Sequence, residues 1–367
     1  MSLGFGSAGS EIITNALISE GDLNPMLPGK KKYAIFGFCD IRNFTDVTEV
    51  LTKDILLFVN KIAEIVHTVV EEFKGNANKN IGDAFLLVWK LPFYDENSYN
   101  VHPHTRISAD LSLMSFIKII AKIKYDKELK SYSNNDKILQ RIPNYKVRMG
   151  FGLHIGWGIE GAIGSEFKID ASYLSPNVNL ASRLEAATKQ FGKEILISGS
   201  LVNIMSADLK EKCRKIDIVT VKGSIKPIEL YTVDLILDRN TRSTNFDIID
   251  KHQLKRKKRK DNVNVKATYI IEPNMPDLVK NALNNLIKLE HDIEIKSILN
   301  VDEVFKDKFQ SGFDNYILGN WEISKTTFEG ILSSCNDTPS EVLLNFIQKY
   351  NYKAPDDWKG YRELTEK

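Results

Sequence analysis

Residues 32–40, KYAIFGFCD, are apolar at every position between the opening lysine and the closing aspartate. A run of that length and composition reads as a strand buried on both faces, so the chain must build a sheet covered on both sides. A long amphipathic helix is expected next, over 52–73, where Ile55, Phe58, Val59, Ile62, Val66, Val69, Val70 and Phe73 recur at helical spacing. Gly75 marks its end, and NANKNIGDAFLLVW then predicts two short strands joined by a tight turn at Gly82-Asp83. Strands are further expected at 147–154, 216–221 and 228–237, and a helix from Pro176 with Val178, Leu180, Ala181, Leu184 and Ala187 on its core face. This alternation of short apolar runs and helix-period segments from 32 to about 238 is the rhythm of a mixed α/β or α+β domain.

The remainder reads differently. Residues 1–31 are expected to be irregular, and 91–145 hold a helix-period block at about 105–125 followed by a polar stretch, KSYSNNDK, expected as a surface loop. Residues 239–266 are polar and contain KRKKRK at 255–260, which reads as a solvated linker. Residues 267–367 form a helical extension with blocks near 276–293, 320–332 and 340–350. Within it YILGNWEISKTTFEGIL is spaced like half of a tetratricopeptide-type helix pair, but it occurs once, and one repeat makes no solenoid.

With 367 residues, 43% of them apolar, a packed core is within reach. The formal net charge of +2 supplies no global field for a nucleic acid, and none is expected as a partner. Cys39, Cys213 and Cys335 form no C-x-x-C pair and no even framework, which argues against a disulfide scaffold or a Cys-rich zinc site and for an intracellular chain, placed at the cytoplasmic face. Apolar stretches such as 116–123 are interrupted by Lys118 and Lys122 and fall short of the roughly 20 residues that cross a bilayer, so no membrane span is expected. Membership of a larger membrane- or cytoskeleton-associated assembly stays open.

Asp40 closes a buried strand, where a carboxylate is costly without a partner. It can cap a helix starting near Asn43 or bind a metal, and taken alone the two readings balance. Asp83, after Gly82, reads first as a turn residue. Taken together they say more: a strand and a neighbouring antiparallel hairpin can bring two carboxylates to one sheet edge, the arrangement that hard divalent cations need to clamp a triphosphate. Mg²⁺ or Mn²⁺ is the natural occupant, since neither aspartate has a His or Cys at ligand spacing. The six histidines are scattered and receive no role.

The chain resembles the class III nucleotidyl cyclase catalytic domain, the adenylyl/guanylyl cyclase family. The segments that carry the resemblance are FGFCDIRNFTDVTE (36–49), NKNIGDAFLLVW (78–89), GFGLHIGWGIEGAIGS (150–165), NVNLASRLEAATKQFG (177–192) and VKGSIKPIELYTVDL (221–235), in that order over 32–238. The segment 91–145 is expanded relative to compact members. The resemblance implies an α+β fold of ferredoxin-like, palm-type antiparallel sheet flanked by helices, with a small all-α C-terminal extension.

It also implies roles. Asp40 and Asp83 match the aspartates that hold two Mg²⁺ (or Mn²⁺), and the carbonyl of Ile41 matches a backbone ligand. Lys79 matches the purine-reading position, where Lys accompanies ATP and Glu accompanies GTP, because adenine presents the N1 acceptor and guanine N–H donors. Ser172, seven residues before Asn179, matches the second purine-reading position and departs from the Asp of mammalian membrane cyclases, which keeps GTP open. Asn179 and Arg183, i and i+4 on one helix face, match the groups that position the ribose and stabilise charge at the α-phosphate. Lys222 resembles a position that meets the β- and γ-phosphates, against the alternative of an ordinary exposed lysine.

The implied reaction converts ATP to 3′,5′-cyclic AMP and pyrophosphate. In this family the site forms between protomers, so the expected partner is a second copy in a two-fold homodimer, or a related cyclase domain in a heterodimer. The alternatives are a guanylyl cyclase with the same mechanism and a non-catalytic cyclase-fold scaffold, part of a larger assembly through its C-terminal helices.

Overall fold

The computed structural model describes residues 28–98, 100–165, 168–221, 226–236, 295, 298–299 and 302–364. Strand β1 (Lys30–Ile41) is followed by α1 (Phe44–Leu51), a 3₁₀ turn, α2 (Ile55–Glu72) and the hairpin β2 (Asn76–Ile81) and β3 (Ala84–Lys90). Helices α3 (Pro103–Tyr125), α4 (Lys127–Tyr132) and α5 (Asp136–Arg141) lead into β4 (Met149–Ser165), β5 (Lys168–Leu174) and α6 (Pro176–Phe191). Then come β6 (Ile195–Ser198), α7 (Gly199–Val202), α8 (Ala207–Lys212), β7 (Cys213–Thr220) and β8 (Ile228–Val233). The C-terminal region supplies α9 (Glu303–Ile317), α10 (Trp321–Leu332), α11 (Thr338–Gln348) and the short β9 (Arg362–Glu363).

The nine strands form one sheet in the order β2-β3-β1-β4-β6-β8-β7-β9, with β5 paired to the far half of β4. All pairings are antiparallel except β4 with β6 and β7 with β9. The architecture is therefore the expected α+β sheet flanked by helices.

The alternation of side chains along β1 explains why that strand had to be apolar throughout. Ile35, Cys39 and Ile41, with Phe85, Leu87 and Trp89 of β3 and Phe151, Leu153 and Ile155 of β4, pack against α2 and α3 in the largest core cluster. The segment 91–145 is thus no peripheral excursion, because α3 buries Ile107, Leu111, Phe116 and Ile119 in that core. Ala34 and Phe36 point the other way and join Leu86, Val88, Tyr173 and Ala181.

On this second face a stripe of glycines in β4 lets α6 lie directly on the sheet. A Cβ at Gly152 would stand 2.2 Å from the carbonyl oxygen of Ala181, and one at Gly156 would stand 2.3 Å from the Asn177 side chain. Helix α6 starts where its sequence says it should: Ser175 accepts from the Asn177 amide at 2.9 Å, Pro176 follows, and Gly192 at φ 58° ends the helix.

The structure corrects several sequence expectations. β1 begins at Lys30, two residues early, and β4 continues well past 154 to form the hairpin with β5. KSYSNNDK is mostly helical: α4 extends to Tyr132, and Asn135 caps α5 by accepting from the amides of Lys137 and Ile138. α9 was not expected at all. Residues 1–27, the whole of the expected linker 239–266 with its basic run at 255–260, the expected helical block at 276–293, and Lys222 lie outside the described residues.

Helices α9–α11 dock on the sheet domain through a core of their own, in which Phe309, Phe313, Tyr316, Trp321 and Phe328 meet Leu184, Ala187 and Phe191 of α6 and Ile216, Val219 and Leu230 of β7 and β8. Buried ions bolt this junction. Arg214 contacts Asp234 (Nε to Oδ2, 2.8 Å) and Asp337 (Nη2 to Oδ1, 2.8 Å) while its guanidinium lies 4.3 Å from the Phe309 ring centroid. Lys193, just past the end of α6, reaches Asp234 at 2.9 Å and Asp337 at 3.2 Å. Arg362 of β9 meets the fully buried Asp217 at 2.8 Å.

Candidate active site

The register of the sheet sets Asp40 opposite Ala84 on one side and Gly150 on the other. Asp83 occupies the β2–β3 turn beside it, after Gly82 at φ 64°, and its carbonyl accepts from the Ile41 amide at 3.2 Å. The hairpin turn is thereby tied to the end of β1, and the two aspartates share one edge. The helix-cap reading of Asp40 fails, because α1 is entered through Asn43, in the left-handed region, with no side-chain cap.

Asp40 is half-buried, and burial pushes its carboxyl above the ordinary carboxylate range; the Asp83 charge adds to the rise, with Lys189 and Arg42 opposing. Neither aspartate closes a side-chain hydrogen bond or ion pair among the described residues. The nearby cation is engaged elsewhere: Arg42 pairs with Glu185 of α6 at 3.2 Å and donates to Thr188. Glu185 is pushed up to about 7, by burial first, with Arg42 opposing and Asp40 adding to the rise. Among the described residues no group of three or more His, Cys, Asp or Glu forms a metal cluster. The donors on offer at the edge are oxygens, two carboxylates with a neighbouring main chain, a set that suits Mg²⁺ or Mn²⁺ and not zinc.

Lys79 lies in the same cross-strand row as Leu86 and Phe38, two residues along the sheet from the Asp40 row and on the same face. Its Nζ pairs with Asp170 of β5. Asn78 reaches the Ala171 carbonyl at 3.5 Å, so β2 and β5 run side by side and bring Lys79 close to Ser172, which is buried and paired with Gly161. Asp170 is the residue that sequence reading missed. It stands two positions before Ser172, on the same face of β5, and strand alternation was the available signal.

Helix α6 has three distinct sides. Ala181 and Glu185 rest on the β4 glycines, Leu184, Ala187 and Phe191 face the docked C-terminal helices, and Asn179 and Arg183 project from the third side, exposed and half-buried respectively. The start of the helix is held by His154, also without a role at the outset, whose ring contacts Ser198 Oγ at 2.8 Å and Asn177 Oδ1 at 3.1 Å. Burial pushes its pKa down to about 4, so it stands neutral. No contact among those described joins Asn179 or Arg183 to Asp40 or Asp83.

Residues 29–234 match the family model for the adenylate and guanylate cyclase catalytic domain. The chain belongs to this family. An adenylate cyclase of Anabaena cylindrica is 30% identical over 202 residues, 53% of this chain and 36% of that protein. The terminal-differentiation-specific adenylate cyclase of Dictyostelium discoideum is 28% identical over 205 residues, 55% of this chain and 9% of the other. This cyclase-family chain therefore spans about a third or less of the length of those two relatives. Among solved structures, a bacterial light-regulated adenylyl cyclase aligns at 24% identity with a TM-score of 0.46, covering 60% of this chain and 56% of that one. Among the described residues no helix is long and apolar enough to cross a membrane.

Proposed function

We propose that this chain is an adenylyl cyclase. The ribose 3′-oxygen of ATP attacks the α-phosphorus, the bond to the β-phosphate oxygen breaks, and 3′,5′-cyclic AMP and pyrophosphate result. The observation that carries the reading is the shared sheet edge of Asp40 and Asp83, two carboxylates held together with no cation closing on either among the described residues. Two Mg²⁺ or Mn²⁺, held there by both aspartates and the Ile41 carbonyl, would activate the attacking hydroxyl and neutralise phosphate charge.

The chain's own groups do the rest. Lys79 offers a donor and Asp170 an acceptor side by side, complementary to the N1 acceptor and N6 donor of adenine, with the Ser172 hydroxyl beside them. Arg183 stabilises charge developing at the α-phosphate, Asn179 orients the ribose, and Lys222 meets the terminal phosphates. As the resemblance to the family implies, two copies complete the site in a homodimer. The 60% exposed Leu174 and 39% exposed Ile163 of the β4–β5 hairpin are apolar surface for that contact. On this reading residues 32–238 are the catalytic domain, 239–266 a linker and 267–367 an extension, of which helices α9–α11 dock on that domain.

Guanylyl cyclase is the second reading, favoured by one feature: the same Lys–Asp pair also complements the O6 acceptor and N1–H donor of guanine. Purified chain supplied with Mn²⁺ and equimolar ATP and GTP decides between them by the cyclic nucleotide formed. Cyclic AMP in excess, abolished by Asp83→Ala, is the expected result. Undiminished turnover in that variant would overturn the assignment of the edge.

A further inference from the structure

Between α3, α4 and the start of β4, on the side of the sheet opposite α6, lies a cavity of about 250 Å³. Its floor is made of Ile120, Ile123, Leu129, Val147 and Met149. Its mouth is cationic: Lys124, Lys130, Lys146 and Arg148 stand around it with a single carboxylate, Glu194, a net charge of +3. Arg148 answers Glu194, opposing the rise that burial imposes on that carboxyl. Lys124 donates to the Ile236 carbonyl at 2.8 Å, and Lys124 and Lys130 lie 5.4 and 5.6 Å from the Tyr125 ring centroid. A carbonyl and a ring stabilise these ammonium groups without cancelling their charge.

We propose that this cavity binds a small amphipathic carboxylate, its apolar chain on the floor and its head among the three lysines. The physical case is the division of the pocket. An aliphatic floor excludes a polyanion such as a nucleotide, and an excess of positive charge at the mouth selects an anionic head over a neutral one. The volume has room for an aliphatic chain of several carbons, for which octanoate serves as the probe. The cavity wall is continuous with the carboxylate edge, since Met149 pairs with Ile41 and the Arg148 carbonyl accepts from the Arg42 amide at 2.9 Å. The proposal concerns binding alone and stands whether or not the chain cyclises ATP.

The test is isothermal titration calorimetry of the full chain with octanoate, 1-octanol and acetate. Octanoate should saturate with a negative heat-capacity change, 1-octanol should bind at least about fivefold more weakly, and acetate should give no saturable heat. The double variant Lys130→Gln/Lys146→Gln, both at exposed positions, should bring octanoate down to the affinity of 1-octanol and leave 1-octanol unchanged. Ile123→Trp, which fills the floor, should abolish both; if that variant fails to fold, the rim variant still decides. Equal affinity of octanoate and 1-octanol, unaltered octanoate binding in the rim variant, or no saturable heat from octanoate would each overturn the proposal.

Discussion

Two groups of acids in this molecule, Asp234 with Asp337 and Asp40 with Asp83, are treated in opposite ways. At the junction with the C-terminal helices, Asp234 and Asp337 sit against Arg214 and Lys193, and those cations hold both carboxyls below the ordinary range in spite of burial. At the end of β1, Asp40 is burdened by burial and by a second carboxylate, and its carboxyl is driven up. The first arrangement is complete and serves to join elements distant in sequence. The second is a cost that the fold bears and a divalent cation would relieve, which marks the edge as a site and the junction as a joint.

The largest expected effect separates these roles directly. Asp40→Asn should lower cyclic AMP production by at least about 10³-fold while leaving the melting temperature equal to or above that of the wild type, since it removes like-charge repulsion. A drop of several degrees would mean that Asp40 is a structural partner after all. Asp337→Ala should do the reverse at the joint: it leaves Arg214 and Lys193 with the single carboxylate of Asp234, uncaps α11, where the Asp337 carboxylate accepts from the Ser340 amide at 3.1 Å, and costs about 3 kcal/mol by urea denaturation.

Acid sharpens the comparison. Groups whose folded pKa is depressed lose their contribution as pH falls. His154, pushed down to about 4 from 6.5, is neutral in the folded chain while the unfolded chain takes up its proton. The His154 contribution should therefore fall by up to about 3 kcal/mol between pH 6.5 and pH 4, against an opposing gain from Glu185 as it takes up its proton below about 7, so the stability difference between wild type and His154→Gln should shift across that window. The Asp234 and Asp337 contributions are full above about pH 4 and are lost below it, so Asp337→Asn should change the slope only there. A difference between wild type and His154→Gln that is level from pH 7 to pH 4 would contradict the burial of His154.

The smallest effect tests the surface that joins the two regions. Gly152→Ala drives a methyl into the Ala181 carbonyl and should cost about 1–3 kcal/mol in urea, lifting α6 from β4 and disturbing Asn179 and Arg183 with it. An unchanged midpoint would show that the helix does not need the glycine stripe.

Much of the sheet domain could be read from local pattern. The apolar run 32–40, the helical spacing of 55–73 and the Gly82-Asp83 turn are short-range signals, and β1, α2 and the β2–β3 hairpin formed where they pointed. The polar run KSYSNNDK misled because its Ser and Asn residues serve as helix boundaries and a cap instead of open loop. α9 escaped notice because its apolar residues answer to a core shared by α10 and α11 with α6, β7 and β8, the last three about a hundred residues away.

By itself the amino-acid order determined the main strands and helices of the sheet domain, which residue types carry the chemistry, and that two aspartates end a strand and sit in a hairpin turn. Periodicity and turn chemistry act over a few residues, and that is the range a sequence exposes. Only the tertiary structure decided that those aspartates share an edge without a closing cation, that Asp170 holds Lys79, and that the C-terminal helices clamp the back of α6. Each of these is a meeting of residues separated by about forty to over a hundred and twenty positions, and pairing at that range is settled by sheet register and by which charges find partners.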